Sequence, residues 1–103
     1  MFPLWEHRVV RVISDKAIRE LGKTHSDALA SLDTWRKLTK AAIWTNTAEV
    51  RDTFGDADFV GQNVVFNIAH NRYRLIAYIS YRGRKVFIKQ ILTHRDYGKG
   101  NWK

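Results

Sequence analysis

The chain has 103 residues, of which 45% are hydrophobic and 27% charged, and its 18 Lys and Arg against ten Asp and Glu give a net charge of +8. This length predicts one domain over residues 1–103, and the hydrophobic content excludes a disordered, collagen-like or coiled-coil chain. The absence of cysteine excludes disulfides, thiolate metal sites and a cysteine nucleophile. No apolar run approaches the roughly 20 residues that cross a bilayer, so we expect a cytoplasmic protein with no membrane partner.

The N-terminal part of the chain predicts one strand and one short helix. The β-branched run over residues 8–13 is typical of a strand. Ser14 and Asp15 can then start a helix that Gly22 ends, since glycine commonly follows the last helical residue. Residues 1–7 precede this pattern as an extra N-terminal segment.

Two further helices are predicted before the middle of the chain. Ser26 and Asp27 repeat the start signal of a helix. The residues that follow at helical spacing are Ala28, Leu32, Trp35, Thr39 and Ala42. Asn46 can cap a third short helix that reaches Phe54, and residues 55–58 have the composition of a loop.

The C-terminal part of the chain predicts three consecutive strands. Residues 64–68, 73–81 and 85–92 are rich in β-branched and aromatic side chains. The connections over residues 69–72 and 82–84 are short, which favours antiparallel hairpins. The element order β-α-α-(α)-β-β-β therefore predicts an α+β domain with a small, mostly antiparallel sheet and two to three helices packed on one face.

The alternation of side chains along a strand predicts two different sheet faces. The core face of the second of these strands carries Tyr73, Leu75, Ala77 and Ile79. The opposite face carries Arg72, Arg74, Ile76, Tyr78 and Ser80. On the last strand Lys85, Phe87, Lys89 and Ile91 alternate with Val86, Ile88, Gln90 and Leu92. Lys89 can therefore share the second face with Arg74, which predicts a cationic and partly aromatic surface.

The excess of positive charge lies entirely in the last third of the chain. Residues 1–68 hold nine basic and nine acidic side chains, whereas residues 69–103 hold nine basic ones and only Asp96 as an acid. This segregation predicts an anionic partner, such as a nucleic acid or an acidic protein. Residues 98–103 contain two glycines and two lysines and predict a flexible basic tail.

Four stretches of the sequence, at residues 12–17, 59–68, 71–75 and 93–97, resemble the HigB family of toxins from bacterial toxin-antitoxin systems. The resemblance implies a RelE-like fold, in which a small sheet is flanked by N-terminal helices. It also implies a toxin that cleaves messenger RNA, typically at the ribosome, and that a HigA-like helix-turn-helix antitoxin neutralises. Residues 1–7 and 98–103 lie outside the resemblance.

The resemblance further implies that basic and aromatic side chains of the last strands and the C-terminal end bind and cleave the RNA. The candidate catalytic residues are His94, Tyr97, Arg74 and Lys89. The candidate RNA-binding residues are Arg72, Arg74, Lys89, Arg95, Asn71 and Tyr73.

Cleavage of RNA without a metal needs a base for the 2′-hydroxyl, an acid for the leaving 5′-oxygen and cations for the phosphorane. An imidazole with an ordinary pKa near 6.5 populates both forms near neutrality, which favours His94 as a proton-transfer group. Tyr97 can stack on a base or transfer a proton, and Arg72 or Arg74 can clamp the phosphate. Alternatively His94 only bonds the backbone and Tyr97 only closes the core. His70 with Asn71 is predicted to form a hairpin turn, and the alternative is that this turn contacts RNA.

The residue patterns indicate neither a metal site nor a cofactor. The four histidines are scattered along the chain, and the six glycines are isolated, so no phosphate-cradling loop is present. The leading hypothesis is a metal-independent endoribonuclease. A non-catalytic RNA-binding module and a protein that docks an acidic partner are the alternatives.

Overall fold

The structure is a computed structural model that describes residues 11–13, 20, 23 and 25–100. Its strands are β1 (Arg11–Ile13), β2 (Asp58–Val60), β3 (Asn63–Ile68), β4 (Tyr73–Ser80) and β5 (Lys85–Thr93). Its helices are α1 (Leu29–Ala41), α2 (Thr47–Thr53) and α3 (His94–Gly98), and a 3-10 turn (Ser26–Ala28) precedes α1. The extra segment 1–7, most of the predicted first helix and the end of the basic tail lie outside the described residues.

The five strands form one sheet in the order β1-β5-β4-β3-β2. Neighbouring strands are antiparallel except β1, which runs parallel to β5. The predicted mostly antiparallel sheet and its hairpins over 69–72 and 82–84 are confirmed, with the second connection beginning one residue earlier, at Tyr81. Strand β2 was not predicted, because residues 58–60 follow a loop-like composition. It pairs with β3 through a two-residue turn in which Gly61 adopts the left-handed conformation, with φ of 59°.

Helices α1 and α2 cover one face of the sheet and build the core. Helix α1 buries the predicted positions Leu32, Trp35 and Thr39. Asn46 caps α2 as predicted, since its side chain accepts a hydrogen bond of 3.0 Å from the backbone N–H of Glu49. These helices therefore cover the face of the sheet opposite the side chain of Arg74, the basic residue of β4.

Phe66 of β3 is the centre of the aromatic core. Its ring centroid lies 5.3 Å from that of Trp35, 5.2 Å from that of Phe54 and 6.4 Å from that of Trp44. These partners come from α1, the end of α2 and the connection between them. The packing of aromatic rings at such distances fixes both helices on the sheet.

The predicted core face of β4 is confirmed, since Tyr73, Leu75, Ala77 and Ile79 are all buried. On the opposite face Ile76 is also buried, at 2% exposure, so this face is not polar throughout. Val65 of β3 pairs with Ile76 and is equally buried.

The predicted alternation along β5 is wrong beyond Ile88. A β-bulge shifts the register, so that Ala77 pairs with Ile88 and Ile76 pairs with Gln90, which leaves Lys89 as the extra residue. As a result Gln90 and Leu92, rather than Ile91, share the face of Arg74, while Ile91 packs against the core. The sequence of β5 does not indicate where an extra residue is inserted, so the bulge could not be predicted from the alternation of its side chains.

Candidate functional site

The junction between β5 and α3 places His94 at one end of the sheet. Strand β5 ends at Thr93, whose hydroxyl caps α3 by accepting a hydrogen bond of 3.2 Å from the N–H of Asp96. The backbone N–H of His94 donates to the carbonyl oxygen of Arg72 at 2.8 Å. His94 is thereby fixed beside the first residues of β4.

Arg74 lies at the centre of the candidate site. Its Nη1 donates to the carbonyl oxygens of Asn71, at 2.8 Å, and Tyr73, at 3.2 Å, and its Nη2 lies 3.0 Å from Nδ1 of His94. A guanidinium has only donors, so Nδ1 of His94 must accept this bond. The neutral imidazole then carries its proton on Nε2. This tautomer is assigned because Arg74 can only donate a hydrogen bond.

Tyr97 completes a cluster of three side chains. The guanidinium carbon of Arg74 lies 5.6 Å from the centroid of the Tyr97 ring, which is a cation–π contact. His94 and Tyr97 are three residues apart on α3 and therefore face the same side of that helix. We call Arg74, His94 and Tyr97 the Arg74 cluster.

The turn between β3 and β4 supplies a backbone acceptor to the cluster. Ala69, His70 and Asn71 all adopt positive φ, at 53°, 53° and 70°, and the N–H of Arg72 closes the turn on the carbonyl oxygen of Ala69 at 3.2 Å. The predicted turn at His70 and Asn71 is confirmed. Left-handed conformations cost non-glycine residues roughly 1–2 kcal/mol each. This strained turn brings the Asn71 carbonyl to the guanidinium of Arg74.

Two of the candidate RNA-binding residues do not join the cluster. Arg72 forms an ion pair with Asp27, with Nη1 and Oδ2 3.1 Å apart. Tyr73 is 5% exposed, and its hydroxyl donates to Oδ1 of Asp27 at 2.8 Å. Its ring lies on the helix side of the sheet, on the face opposite Arg74, and RNA binding by Tyr73 stays a prediction. The ring of His25 packs edge-on against Tyr73, with centroids 5.3 Å apart.

Asp27 is a residue whose partners the sequence did not indicate. Its position marked a helix start, but the structure ties it to the beginning of β4, which is distant in sequence. The hydrogen bond from Tyr73 and the bond and charge of Arg72 lower the pKa of Asp27 below its usual 3.8. The same hydrogen bond, with burial, raises the pKa of Tyr73 above its usual 10.0.

The Asp27→Asn variant is expected to be less stable than the wild type in a pH-dependent way. A lowered carboxyl pKa stabilises the folded state above the unfolded-state value of about 4 and loses this contribution as pH falls through the folded-state value. A raised phenol pKa stabilises below about 10 and loses this contribution as pH rises. Urea unfolding should show a constant stability gap from about pH 5 to 9 that narrows below about pH 4. A gap independent of pH down to acid would contradict the role of the Asp27 charge.

The other candidates lie on the surface near the same end of the chain. Lys89 at the bulge, Arg95 on α3 and Asn71 in the turn are exposed. Asp96, the one acid of residues 69–103, lies 3.7 Å from Lys99. Lys89 and Arg95 therefore add exposed positive charge to β5 and α3, the elements that lead to and carry His94 and Tyr97.

The described part of the chain contains no group of three or more His, Asp and Glu side chains that could hold a metal ion. Within the same residues, no helix is both long enough and apolar enough to span a bilayer. The cluster can offer a fixed cation, an imidazole and a phenol side by side. Those groups suit the binding of a phosphate and the transfer of protons next to it.

Comparisons with known proteins agree with the fold. The sequence model of the HigB_toxin family, described as the RelE-like toxic component of a toxin-antitoxin system, matches residues 28–100. The mRNA interferase HigB of Escherichia coli O6:H1 is 26% identical over 93 residues, which cover 87% of this chain and 90% of that protein. The mRNA interferase toxin HigB of Escherichia coli K12 is 19% identical over 91 residues, covering 85% and 88%.

A solved structure shows the same fold at low sequence identity. A chain from the crystal structure of the archaeal RelE-RelB complex of Pyrococcus horikoshii OT3 superimposes with a TM-score of 0.55 and 13% identity. The match covers 84% of this chain and 96% of that one. The predicted RelE-like α+β fold is confirmed.

Proposed function

We propose that this chain, which belongs to the HigB family of RelE-like toxic components of toxin-antitoxin systems, is an endoribonuclease that cleaves messenger RNA. The curated relatives that it matches over most of their length are named mRNA interferases. The observation that carries the proposal is the Arg74 cluster, in which a fixed guanidinium contacts both an imidazole and a phenol.

Arg74 retains capacity for a phosphate in this arrangement. The three hydrogen bonds from Nη1 and Nη2 use three of the five N–H donors of the guanidinium. The Nε–H and one Nη2–H therefore stay available, and they can bind a phosphate oxygen through charge-assisted bonds. Such donors stabilise the negative charge that grows on the phosphorane.

His94 is the general base in our proposal. The bond from Arg74 selects the neutral imidazole, since a protonated ring would present donors at both nitrogens. The 2′-hydroxyl takes the place of the Nη2–H of Arg74 at Nδ1 of His94, and Nδ1 then accepts the proton of that hydroxyl. The 2′-oxygen then forms a bond to the adjacent phosphorus.

Tyr97 is the general acid in the same step. The bond between phosphorus and the 5′-oxygen breaks, and the phenol gives its proton to that oxygen. The products are a 2′,3′-cyclic phosphate and a free 5′-hydroxyl. Arg72 is assigned no phosphate contact here, because it is paired with Asp27, whereas Lys89, Arg95 and Asn71 would bind RNA next to the cluster.

We further propose that the substrate is bound at the ribosome in the cytoplasm, and that a HigA-like helix-turn-helix antitoxin neutralises the protein. The family description and the RelE-RelB complex in the matched structure support a protein antitoxin as partner. Co-purification with the product of an adjacent small reading frame tests this partner. Recovery of the free protein at high yield from a growing host would contradict neutralisation.

The activity is tested by adding the purified protein to messenger RNA with and without ribosomes and mapping the new 5′ ends. We expect cleavage in the presence of ribosomes and 5′-hydroxyl ends. Tight RNA binding without any new end would favour the non-catalytic RNA-binding module. Binding to an acidic protein, with no affinity for RNA, would favour the docking protein.

A further inference from the structure

Two aromatic side chains lie next to each other on the sheet face opposite the helices. Tyr78 of β4 and Phe87 of β5 are cross-strand partners, and their ring centroids lie 6.2 Å apart with an interplanar angle of 35°. Tyr78 is 38% exposed, which is unusual for a large aromatic residue in the middle strand of a sheet. The mechanism proposed above does not use this pair.

The aromatic pair shares its sheet face with the Arg74 cluster. Side chains alternate along β4, so Arg74, Ile76 and Tyr78 project to the same side. The four residues from Arg74 to Tyr78 span about 13 Å at the rise of a strand. An RNA strand held at the Arg74 cluster can therefore continue along the sheet over the two rings.

Positive charge accompanies the rings along the same face. Lys85 lies two residues before Phe87 on β5, opposite Ser80, and it projects to the same side of the sheet. Lys89 lies between Phe87 and the end of β5 that leads to His94. No acid occurs between Asp58 and Asp96, so β3, β4 and β5 contribute only positive charge.

We propose that Tyr78 and Phe87 form a base-stacking subsite for single-stranded RNA that extends the site of the Arg74 cluster. This inference rests on the proposed function, because it assigns further contacts to the same substrate. A nucleobase has a flat π-face that stacks on an exposed aromatic ring, while the flanking Lys and Arg side chains hold the phosphates. An acidic protein segment would match the charge but would not use the exposed ring faces. The subsite accepts any base, since stacking needs no specific hydrogen bond.

The test compares RNA affinities in a His94→Ala background, which keeps the bound RNA uncut. Tyr78→Ala is expected to weaken binding of a single-stranded RNA by about five- to hundredfold. Tyr78→Phe should retain the affinity, because the ring remains. Leu38→Ala is the matched control, since Leu38 is an apolar residue of 46% exposure that lies on α1.

Two further measurements separate stacking from charge and from folding. Tyr78→Ala should leave the slope of log affinity against log salt unchanged, because it removes no cation, whereas Lys89→Ala should reduce that slope. With an RNA that lacks bases at consecutive positions, the difference between Tyr78→Ala and its parent should disappear. An unfolded variant would instead lose binding to both RNAs.

The outcomes distinguish this inference from the function on which it rests. An RNA affinity of Tyr78→Ala equal to that of Leu38→Ala, or a loss by the folded Tyr78→Ala variant that persists with abasic RNA, overturns the stacking subsite alone. A loss of antitoxin binding with unchanged RNA affinity assigns the pair to a protein interface and also overturns it. The absence of any RNA binding by the His94→Ala parent overturns the subsite alone, whereas the absence of new 5′ ends when the wild type acts on messenger RNA with ribosomes overturns the proposed function and the subsite with it.

Discussion

Arg74→Ala is expected to lower the rate of RNA cleavage by about 10²- to 10³-fold, the loss typical when one donor to a developing charge is removed. The guanidinium contacts two backbone carbonyls, the imidazole of His94 and the ring of Tyr97. Its removal takes away the phosphate donors and the partner that fixes both proton-transfer groups. Single-turnover cleavage of messenger RNA with bound ribosomes measures the effect on the chemical step.

Two other arginine variants make this prediction specific. Arg74→Lys keeps a positive charge but loses the planar fork, so it should recover only part of the rate. Arg72→Ala is the matched control, because Arg72 is two residues away but pairs with Asp27. An equal loss of cleavage in the Arg72 and Arg74 variants, with both proteins folded, would mean that general positive charge is sufficient.

The fold could be predicted from the sequence wherever local pattern and burial agree. Helical spacing predicts the buried apolar residues of α1, and alternation predicts the core face of β4. Capping chemistry predicts that Asn46 begins α2. The parts that the pattern did not reveal depend on tertiary contacts. Strand β2 exists because β3 offers it an edge, and the bulge at Lys89 adjusts β5 to its neighbour.

The candidate site was predicted in part for the same reason. The residue types at 74, 94 and 97 suggested phosphate chemistry, and the hairpin with α3 brings them together. The pattern did not separate Arg72 from Arg74, since both are basic residues at alternate positions. The two arginines differ because Arg72 pairs with Asp27, whereas Arg74 contacts His94. Asp27 reaches Arg72 only because the 3-10 turn before α1 packs on the start of β4.

The conformation of the turn before β4 links this packing to the site. Arg72 binds Asp27 through its side chain and accepts the N–H of His94 through its carbonyl oxygen. The three left-handed residues before it turn the Asn71 carbonyl toward Arg74. The strained residues of this turn therefore lie next to the Arg74 cluster, and strained backbone is common at functional sites.

His94→Ala and Tyr97→Phe are each expected to reduce cleavage by about 10²- to 10⁴-fold, the range for the loss of a general acid or base. RNA affinity should change little in comparison, because the cationic side chains that hold the phosphates remain. Gel-based cleavage and equilibrium binding measured on the same RNA separate these two effects. Ser80→Ala, at the last residue of β4 and six residues from Arg74, serves as the matched control for the loss of a polar group on the same sheet face.

A substrate with sulfur in place of the bridging 5′-oxygen distinguishes the roles of the two groups. A thiolate leaves without protonation far more readily than an alkoxide, since a thiol has a pKa near 8.5. We expect this substrate to restore the rate of Tyr97→Phe but not that of His94→Ala, because only the acid becomes dispensable. Rescue of His94→Ala with none for Tyr97→Phe would exchange the two roles. If His94→Ala and Tyr97→Phe both kept the wild-type rate, His94 and Tyr97 would have no catalytic role, even if the protein cleaves RNA.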